Sequence, residues 1–217
     1  MRSVIDARAL DALRARVSSR MSSYRFRHTE GVESMAVRLA ALYLPHDADR
    51  LRVAALLHDI TKELAPAEQL ARMREMGIVL RPDEEASPKI WHGITAAWIA
   101  ERDYGSLADP DILSAIRWHT TGRRGMTLFE SLLFLADYIE EGRRFEDCVL
   151  LRRTFFDALP ERMDRSERLS HLRHTLLLAL DATLRELRQG GAPVCLDTEA
   201  AYEYLKNENH PFERTKI

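Results

Sequence analysis

The chain has 217 residues, of which 46% are hydrophobic, and its formal net charge is −2 at pH 7. This length is sufficient to bury a core, and the charge excludes the overall basic field that favours binding to nucleic acid or to an anionic membrane. No apolar run approaches the roughly 18 residues that span a bilayer, and the two cysteines cannot form a disulfide framework. We therefore expect a cytoplasmic protein that binds neither nucleic acid nor a membrane.

Helical periodicity is present along the whole chain, and strand patterns are almost absent. In chain order, the pattern predicts a leading helix marked by Val4, Leu10, Leu13 and Val17, then helices in segments 28–44, 47–59, 65–77, 87–105, 109–119, 126–141, 147–158 and 163–188, and a short helix in 197–207. Pro45, Gly105, the loop 120–125 and the segment GGAP at 190–193 separate neighbouring helices, because proline and glycine interrupt regular helix.

The chain shows no internal repeat and no long linker, which indicates a single main domain. We predict an all-α fold, a helical bundle of roughly eight helices. It divides into an N-terminal leading helix over residues 1–20, a main domain over 21–190, and a C-terminal short helix and polar tail over 191–217.

Six side chains of metal-ligating types lie at helix ends or inside apolar runs. They are His28 at the start of the 28–44 helix, His58 and Asp59 at the end of the next apolar helix, His92 and His119, each directly after a tryptophan, and Asp137 inside LLFLADYIEE. Burying an unpaired carboxylate in such a run costs several kcal/mol, and a metal ion removes that cost.

A single histidine on a helix is more often satisfied or exposed than a ligand, and Asp137 could instead cap a helix or pair with an arginine. The prediction of a metal site therefore depends on the joint order H…HD…H…H…D. The other histidines, His46, His171, His174 and His210, are interpreted as ordinary residues. Imidazoles and carboxylates without a thiolate suit iron, manganese, cobalt or zinc, and the ligand types alone do not choose among these metals.

This order resembles the HD-domain metal-dependent phosphohydrolases. The segments LLHDITKEL, IWHGITAAWIA, AIRWHTTGRRGMT and LFLADYIEEGR resemble, more narrowly, the YqeK family of symmetrical diadenosine tetraphosphate hydrolases, over residues from about 20 to 190. The resemblance implies that His28, His58, Asp59 and Asp137 hold the metal, and that this metal is iron. It leaves two roles open for His92 and His119: they bind a second metal with Asp59 bridging, or they hydrogen-bond the substrate's phosphates.

Further residues are candidates for the phosphates and the base. Lys62 follows His58 by four residues and would share its helical face if the helix continues, so we predict Asp59 and Lys62 as catalytic residues, although Lys62 could be a surface lysine. The resemblance places Arg143 on the nucleotide and the loop Thr120–Thr121–Gly122 on the phosphates. Tyr138 and Trp91 could stack on a base, but aromatic residues at helical spacing are more often core residues.

The resemblance implies hydrolysis of diadenosine tetraphosphate into two ADP, by attack of metal-activated hydroxide on phosphorus, with one or two metal ions. The same site could instead act on nucleoside monophosphates or guanosine polyphosphates, or the chain could be a non-catalytic module that binds nucleotides. A homodimer is left open. Glu141 stands where the family commonly has proline, and the residues after Gly190 match none of the motifs.

Overall fold

The computed structural model describes residues 5–159 and 163–207, and the regular elements within these ranges are helices. In chain order they are α1 (Ala7–Ser18), α2 (Ser23–Tyr43), α3 (Ala48–Leu57), α4 (Pro66–Glu75), α5 (Pro82–Glu85), α6 (Trp91–Tyr104), α7 (Pro110–Trp118), α8 (Leu128–Ile139), α9 (Glu146–Asp157), α10 (Arg165–Gln189) and α11 (Leu196–Lys206). The predicted all-α fold is confirmed. The described residues form eleven α-helices instead of roughly eight, partly because the four-residue helix α5 was not predicted.

The bounds of three helices differ from the prediction for local reasons. Helix α2 begins at Ser23, five residues before His28, because the Ser22 hydroxyl caps it by accepting a hydrogen bond from the Arg25 N–H. Helix α3 ends at Leu57, so His58 already lies beyond its last residue. Helix α6 begins at Trp91, after a short 3₁₀ turn over Pro88–Ile90. Each of these shifts changes how a candidate ligand is presented.

The main core lies between α2, α3, α7 and α8, which pack against one another. Its largest fully buried side chains include Leu39, Leu56, Leu57, Ile116, Phe129 and Leu132. Helix α1 adds Leu10, Leu13 and Val17 to the same core, as its apolar spacing predicts. The core therefore fixes the relative positions of the helix ends from which the candidate ligands project.

Two smaller groups complete the packing. Trp91 lies in a second apolar cluster near α4, and its indole N–H donates to the carbonyl of Glu84 at 2.7 Å, so it is a core residue and does not face a ligand. The Arg50 guanidinium joins the starts of α3 and α7 by hydrogen bonds to Asp47, Asp109 and Asp111.

At the C-terminus, α11 packs on α10 and places Ala201 and Leu205 in the main core. None of the described helices is long and apolar enough to cross a membrane. Val4, His210 and the polar tail 208–217 lie outside the described residues. The division into segments 1–20, 21–190 and 191–217 stays a prediction.

Candidate metal and phosphate site

Five helices present the six predicted side chains to one place in the molecule. His28 lies in the second turn of α2, His58 and Asp59 directly follow α3, His92 is the second residue of α6, His119 directly follows α7, and Asp137 lies in the last turn of α8. Four of the six follow or begin a helix, where a side chain can extend past the packed backbone. The structure brings all six together.

One side of the site is formed by Asp59 Oδ2, Asp137 Oδ1 and two histidine nitrogens. His28 Nε2 lies 3.0 Å from Asp137 Oδ1 and 3.7 Å from Asp59 Oδ2. His58 Nε2 lies 3.5 Å from Asp59 Oδ2 and 3.9 Å from Asp137 Oδ1. Both ε nitrogens are buried, and neither makes a well-oriented hydrogen bond to any residue that the structure describes.

The other side of the site is formed by the second oxygen of the Asp59 carboxylate. Asp59 Oδ1 lies 3.3 Å from His92 Nε2 and 3.6 Å from His119 Nε2, and these two nitrogens are 3.0 Å apart. The two oxygens of Asp59 therefore face two different pairs of histidines. This arrangement permits a bridging carboxylate and equally permits His92 and His119 to bind phosphate.

Hydrogen bonds at the δ nitrogens fix the tautomers of three histidines. His58 Nδ1 lies 2.6 Å from the carbonyl oxygen of Ala55, and His119 Nδ1 lies 2.7 Å from that of Ile116. Because a carbonyl oxygen only accepts, both δ nitrogens must carry the proton, and the ε nitrogens keep a free lone pair. His28 Nδ1 is paired in the same way with Glu140 Oε1 at 3.1 Å.

Glu140 is a site residue to which the sequence analysis assigned no role. Its carboxylate is buried, accepts from His28 Nδ1 and also accepts from the backbone N–H of Gly142. It lies beside the backbone of Gly31 in α2, where a Cβ atom would clash with it. The signal in the sequence was a second carboxylate three residues after Asp137 in ADYIE, although α8 ends at Ile139 and Glu140 presents its side chain from beyond the helix.

Two arginines contact the aspartates. Arg143 Nη2 donates to Asp137 Oδ1 at 2.7 Å, so Arg143 folds back over the site, and its contact with the nucleotide stays a prediction. Arg25 Nη1 donates to Asp59 Oδ2 at 2.9 Å, and Arg25 was not predicted. It lies three residues before His28 on the same face of α2, but the predicted helix began only at His28. The exposed Glu141 contacts Arg38 and Arg152, and it lies apart from the aspartates.

Lys62 reaches the site, although not by the predicted route. The chain after α3 continues in turns, so Lys62 does not share a helical face with His58. Instead these turns place Lys62 Nζ 3.2 Å from His92 Nε2 and 3.3 Å from His92 Nδ1. Burial lowers the pKa of Lys62.

Of the three predicted loop residues, Thr120 alone presents its side chain to the histidines. The Thr120 hydroxyl lies 3.1 Å from His92 Nε2 and 3.0 Å from His119 Nε2. The buried Thr121 hydroxyl donates to the carbonyl of Gly122, within the loop. Gly122 adopts a φ of +65°, which glycine alone adopts at little cost, and it packs beside Ala201. Gly122 therefore shapes the loop.

The electrostatics of these residues suit a bound cation. Burial lowers the pKa of His58 to about 4 and that of His92 well below its ordinary value, so both rings are neutral at pH 7. Burial alone would raise the pKa of both aspartates. The neighbouring His58 helps to hold the pKa of Asp59 well below its ordinary value, and Arg143 does the same for Asp137. Burial also lowers the pKa of His28, but its contacts with Asp137 and Glu140 outweigh this and raise it to about 9.

These donors fit a divalent metal. Two groups of donor atoms lie close enough to share an ion: His28, His58 and Asp137 form one, and His58, Asp59 and His119 form the other. Metal–ligand bonds of about 2.1 Å place neighbouring donors about 3.0–3.4 Å apart, and the distances above lie near this range. The neutral His58, with its free ε lone pair, and the ionised carboxylates are the ligand forms that a metal requires, whereas His28 would release its extra proton when a metal binds at Nε2.

Comparison with known proteins agrees with this geometry. Residues 25–142, which include all six candidate ligands, match the HD domain. The chain is 31% identical over 189 residues to a symmetrical bis(5'-nucleosyl)-tetraphosphatase of Bacillus subtilis strain 168, covering 87% of this chain and 93% of that protein. It is 40% identical over 121 residues to the protein of the same name from Staphylococcus aureus, covering 55% of this chain and 60% of that protein.

A solved structure has the same fold. It is described as a predicted HD superfamily hydrolase involved in NAD metabolism, from Clostridium acetobutylicum, and it superposes with a TM-score of 0.80 at 29% identity, over 92% of this chain and 97% of that one. The chain therefore belongs to the HD-domain family and, within it, to the family of symmetrical bis(5'-nucleosyl)-tetraphosphatases.

Proposed function

We propose that this protein is a metal-dependent hydrolase that cleaves diadenosine tetraphosphate symmetrically into two ADP. The observation that supports this most directly is the convergence of four histidines on the two oxygens of Asp59, in a chain whose relatives are named for this reaction. His28, His58, Asp59 and Asp137 would hold the metal. A divalent metal bound there would polarise a phosphoryl oxygen and lower the pKa of a bound water from 15.7 toward about 7.

Three cationic side chains hold the phosphates around this centre. Arg25 and Arg143 each use part of a guanidinium on an aspartate, and each has five N–H donors in total. Arg25 Nε is buried and makes no hydrogen bond to the described residues, so a phosphoryl oxygen would satisfy it. Lys62 adds a third positive charge beside His92.

The remaining polar groups orient the reacting atoms. The Asp59 carboxylate, which faces both pairs of histidines, is placed to accept a hydrogen bond from the attacking water. The Thr120 hydroxyl lies 3.1 Å from His92 Nε2 and 3.0 Å from His119 Nε2 and can donate a hydrogen bond to a phosphoryl oxygen. The two ε nitrogens would donate to phosphate only in their protonated form, and in the neutral rings their lone pairs suit a second metal. The metal content of the protein tests whether a second metal binds His92 and His119. Two ions per chain would support a second metal there, and one ion per chain would exclude it.

A cleft of about 620 Å³ adjoins the Asp137 side of the site and receives one nucleoside. Arg143 lines it, and Tyr138 and Phe145 stand in the same wall. The Phe145 ring is 71% exposed, so a purine can stack on it and bury apolar area. We therefore assign Tyr138 the base-stacking role that the sequence analysis left open beside a core role, whereas Trp91 belongs to the core.

Product analysis tests the proposal. Protein purified without a chelator is incubated with diadenosine tetraphosphate, and ADP is expected as the sole product. Asp59→Ala should lose both metal and activity. Asp49→Asn, a change at an exposed aspartate of α3, is the matched control and should keep both. AMP plus ATP as products would contradict the symmetrical cut.

Two other functions of the same site are outcomes of this experiment. Metal-loaded protein that leaves diadenosine tetraphosphate intact but hydrolyses nucleoside monophosphates or guanosine polyphosphates would reassign the substrate. Metal-loaded protein without turnover on any of these compounds would indicate a nucleotide-binding module.

Metal analysis of the same preparation tests the metal's identity, for which we propose iron over manganese, cobalt or zinc. We place the enzyme in the cytoplasm, where reducing conditions suit the free cysteines Cys148 and Cys195. A homodimer stays a prediction, to be tested by light scattering after gel filtration.

A further inference from the structure

A second pocket adjoins the site at Thr120. Its volume is about 230 Å³, and four stretches of chain form it: the turn 86–90 before α6, the loop at 120–121, the C-terminal half of α10, and residues 192–198. The last stretch belongs to the part of the chain that matches no family motif. The pocket thus assigns a structural role to that segment.

Thr120 joins the pocket to the phosphate site. This residue lines the pocket, and its hydroxyl lies 3.0 Å from His119 Nε2 and 3.1 Å from His92 Nε2. The larger cleft at Arg143 adjoins Asp137 instead. The two pockets flank the C-terminal half of α10, because Ala182 and Glu186 line the larger cleft and Thr183 and Leu187 line the smaller pocket.

The chemistry of the pocket suits a nucleobase. Its walls are mostly apolar, with Ile90, Leu187 and Pro193 among the lining residues. Ser87 also lines it and is 5% exposed, yet its Oγ makes no hydrogen bond to the described residues. A buried hydroxyl without a partner is unfavourable, and a ring nitrogen or amino group at the edge of a purine would supply one.

The size of the pocket restricts the occupant further. Sites for drug-sized ligands have volumes of roughly 300–1,000 Å³, so this pocket holds a single base but not a whole dinucleotide. Lys89 is exposed at its rim, where it can meet a phosphate next to the ribose.

We propose that this pocket binds the second adenine of the substrate, so that each of the two pockets holds one nucleoside. The inference rests on the proposed function, because it requires a substrate with two nucleosides. It also supplies a physical reason for a symmetrical cut: holding both bases would fix the position of the central anhydride bond relative to the Asp59 carboxylate.

The test compares two substrates on a variant whose pocket is filled. Leu187→Trp places a large ring in the pocket, and Leu178→Trp, on an exposed position of the same helix, is the control. We expect Leu187→Trp to raise KM for diadenosine tetraphosphate about tenfold and to leave KM for adenosine 5'-tetraphosphate, which has one nucleoside, unchanged. An equal effect on both substrates, or no effect on either, would overturn the proposal.

ADP binding separates this inference from the proposed function. Equilibrium dialysis of metal-loaded protein should give two ADP per chain for the wild type and one for Leu187→Trp. If the wild type binds two ADP and the variant one, but neither hydrolyses the dinucleotide, the proposed function fails and the pocket stands. If the dinucleotide is hydrolysed but both proteins bind one ADP, the pocket fails and the function stands.

Ser87→Ala provides a second variant in case Leu187→Trp does not fold. Removing a buried hydroxyl that lacks a partner should raise the Tm of the free protein. The same change removes the partner of the base, so KM for diadenosine tetraphosphate should rise while KM for adenosine 5'-tetraphosphate stays constant. An unchanged KM for the dinucleotide would count against the pocket.

Discussion

The substitution Gly31→Ala in α2 tests most directly whether Glu140 orients His28 in the site. In a helix interior this change normally stabilises a protein by about 1 kcal/mol, because alanine loses less backbone entropy than glycine. Here a Cβ atom would lie 3.1 Å from Cδ of Glu140 and still closer to Oε2, closer than real Cβ atoms approach. The carboxylate therefore has to move.

The cost of that movement follows from the contacts of Glu140. Glu140 is 2% exposed, and its carboxylate accepts from His28 Nδ1 and from the Gly142 N–H. Hydrogen bonds to a charged group are each worth about 1.5–3 kcal/mol. Losing both costs about 3–6 kcal/mol, and subtracting the helix gain leaves Gly31→Ala destabilising by about 2–5 kcal/mol.

The assay is urea unfolding of metal-free protein, combined with metal affinity measured by competition with a chelator. Gly31→Ala should lower both quantities, because His28 loses the partner that fixes its tautomer, and such a loss typically weakens metal binding 10–100-fold. In a Glu140→Ala background the clash is absent, so Gly31→Ala should instead stabilise by about 1 kcal/mol. Glu140→Gln should weaken metal binding, and Glu141→Gln, at the exposed neighbour, is the control.

The reversal of sign between the two backgrounds is the decisive result. If Gly31→Ala stabilises the wild type and leaves metal affinity unchanged, Glu140 does not occupy the space beside α2, and its assigned role in orienting His28 is refuted. If Gly31→Ala destabilises both backgrounds equally, the cost comes from another neighbour.

Three further predictions concern other parts of the molecule. Arg50→Ala leaves Asp47, Asp109 and Asp111 without their shared partner, so denaturant unfolding should show a loss of about 3 kcal/mol; a loss below 1 kcal/mol would contradict this. Burial opposes ionisation of Asp109, but hydrogen bonds, first from Arg50, lower its pKa in the folded state. The contribution of ionised Asp109 to stability is therefore complete above the unfolded pKa of about 3.9 and is lost as the pH falls through the folded pKa. As the pH is lowered, Asp109→Asn should lose less stability than the wild type, and identical curves of stability against pH would exclude this role. Removing the metal with a chelator should abolish hydrolysis and lower the Tm, because an ion that binds only the folded state stabilises it, and re-adding metal should restore both; full activity in metal-free protein would exclude metal dependence.

Much of the site could be predicted from single residues, because a metal ligand is conspicuous in an apolar helix. Asp137 has five apolar residues directly before it, and His58 and Asp59 follow a fully buried stretch of α3. A polar or charged side chain that is buried in an apolar run needs a partner. The order of such residues was therefore enough to predict six side chains that the structure brings together.

The supporting contacts were not predictable in the same way, because they join residues far apart in the chain. His28 and Glu140 are separated by 112 positions, and Arg25 and Asp59 by 34. Lys62 was predicted to lie near the site for the wrong reason. The helix does not continue to Lys62, and the turns after α3 bring its side chain to His92 instead. Thr121 and Gly122 share a motif with Thr120, but loop geometry decides which of the three faces the site.

The sequence by itself determined that the chain is helical and which residue types could bind a metal, since helical periodicity and polar residues in apolar runs are local features of the chain. The tertiary structure alone decided that the two oxygens of Asp59 face different histidine pairs, that Glu140 and Arg25 support the site, and that a pocket closed by residues 192–198 adjoins Thr120. The physical reason is that these features depend on how separate helices pack against each other, and packing sets distances between atoms that sequence spacing leaves free.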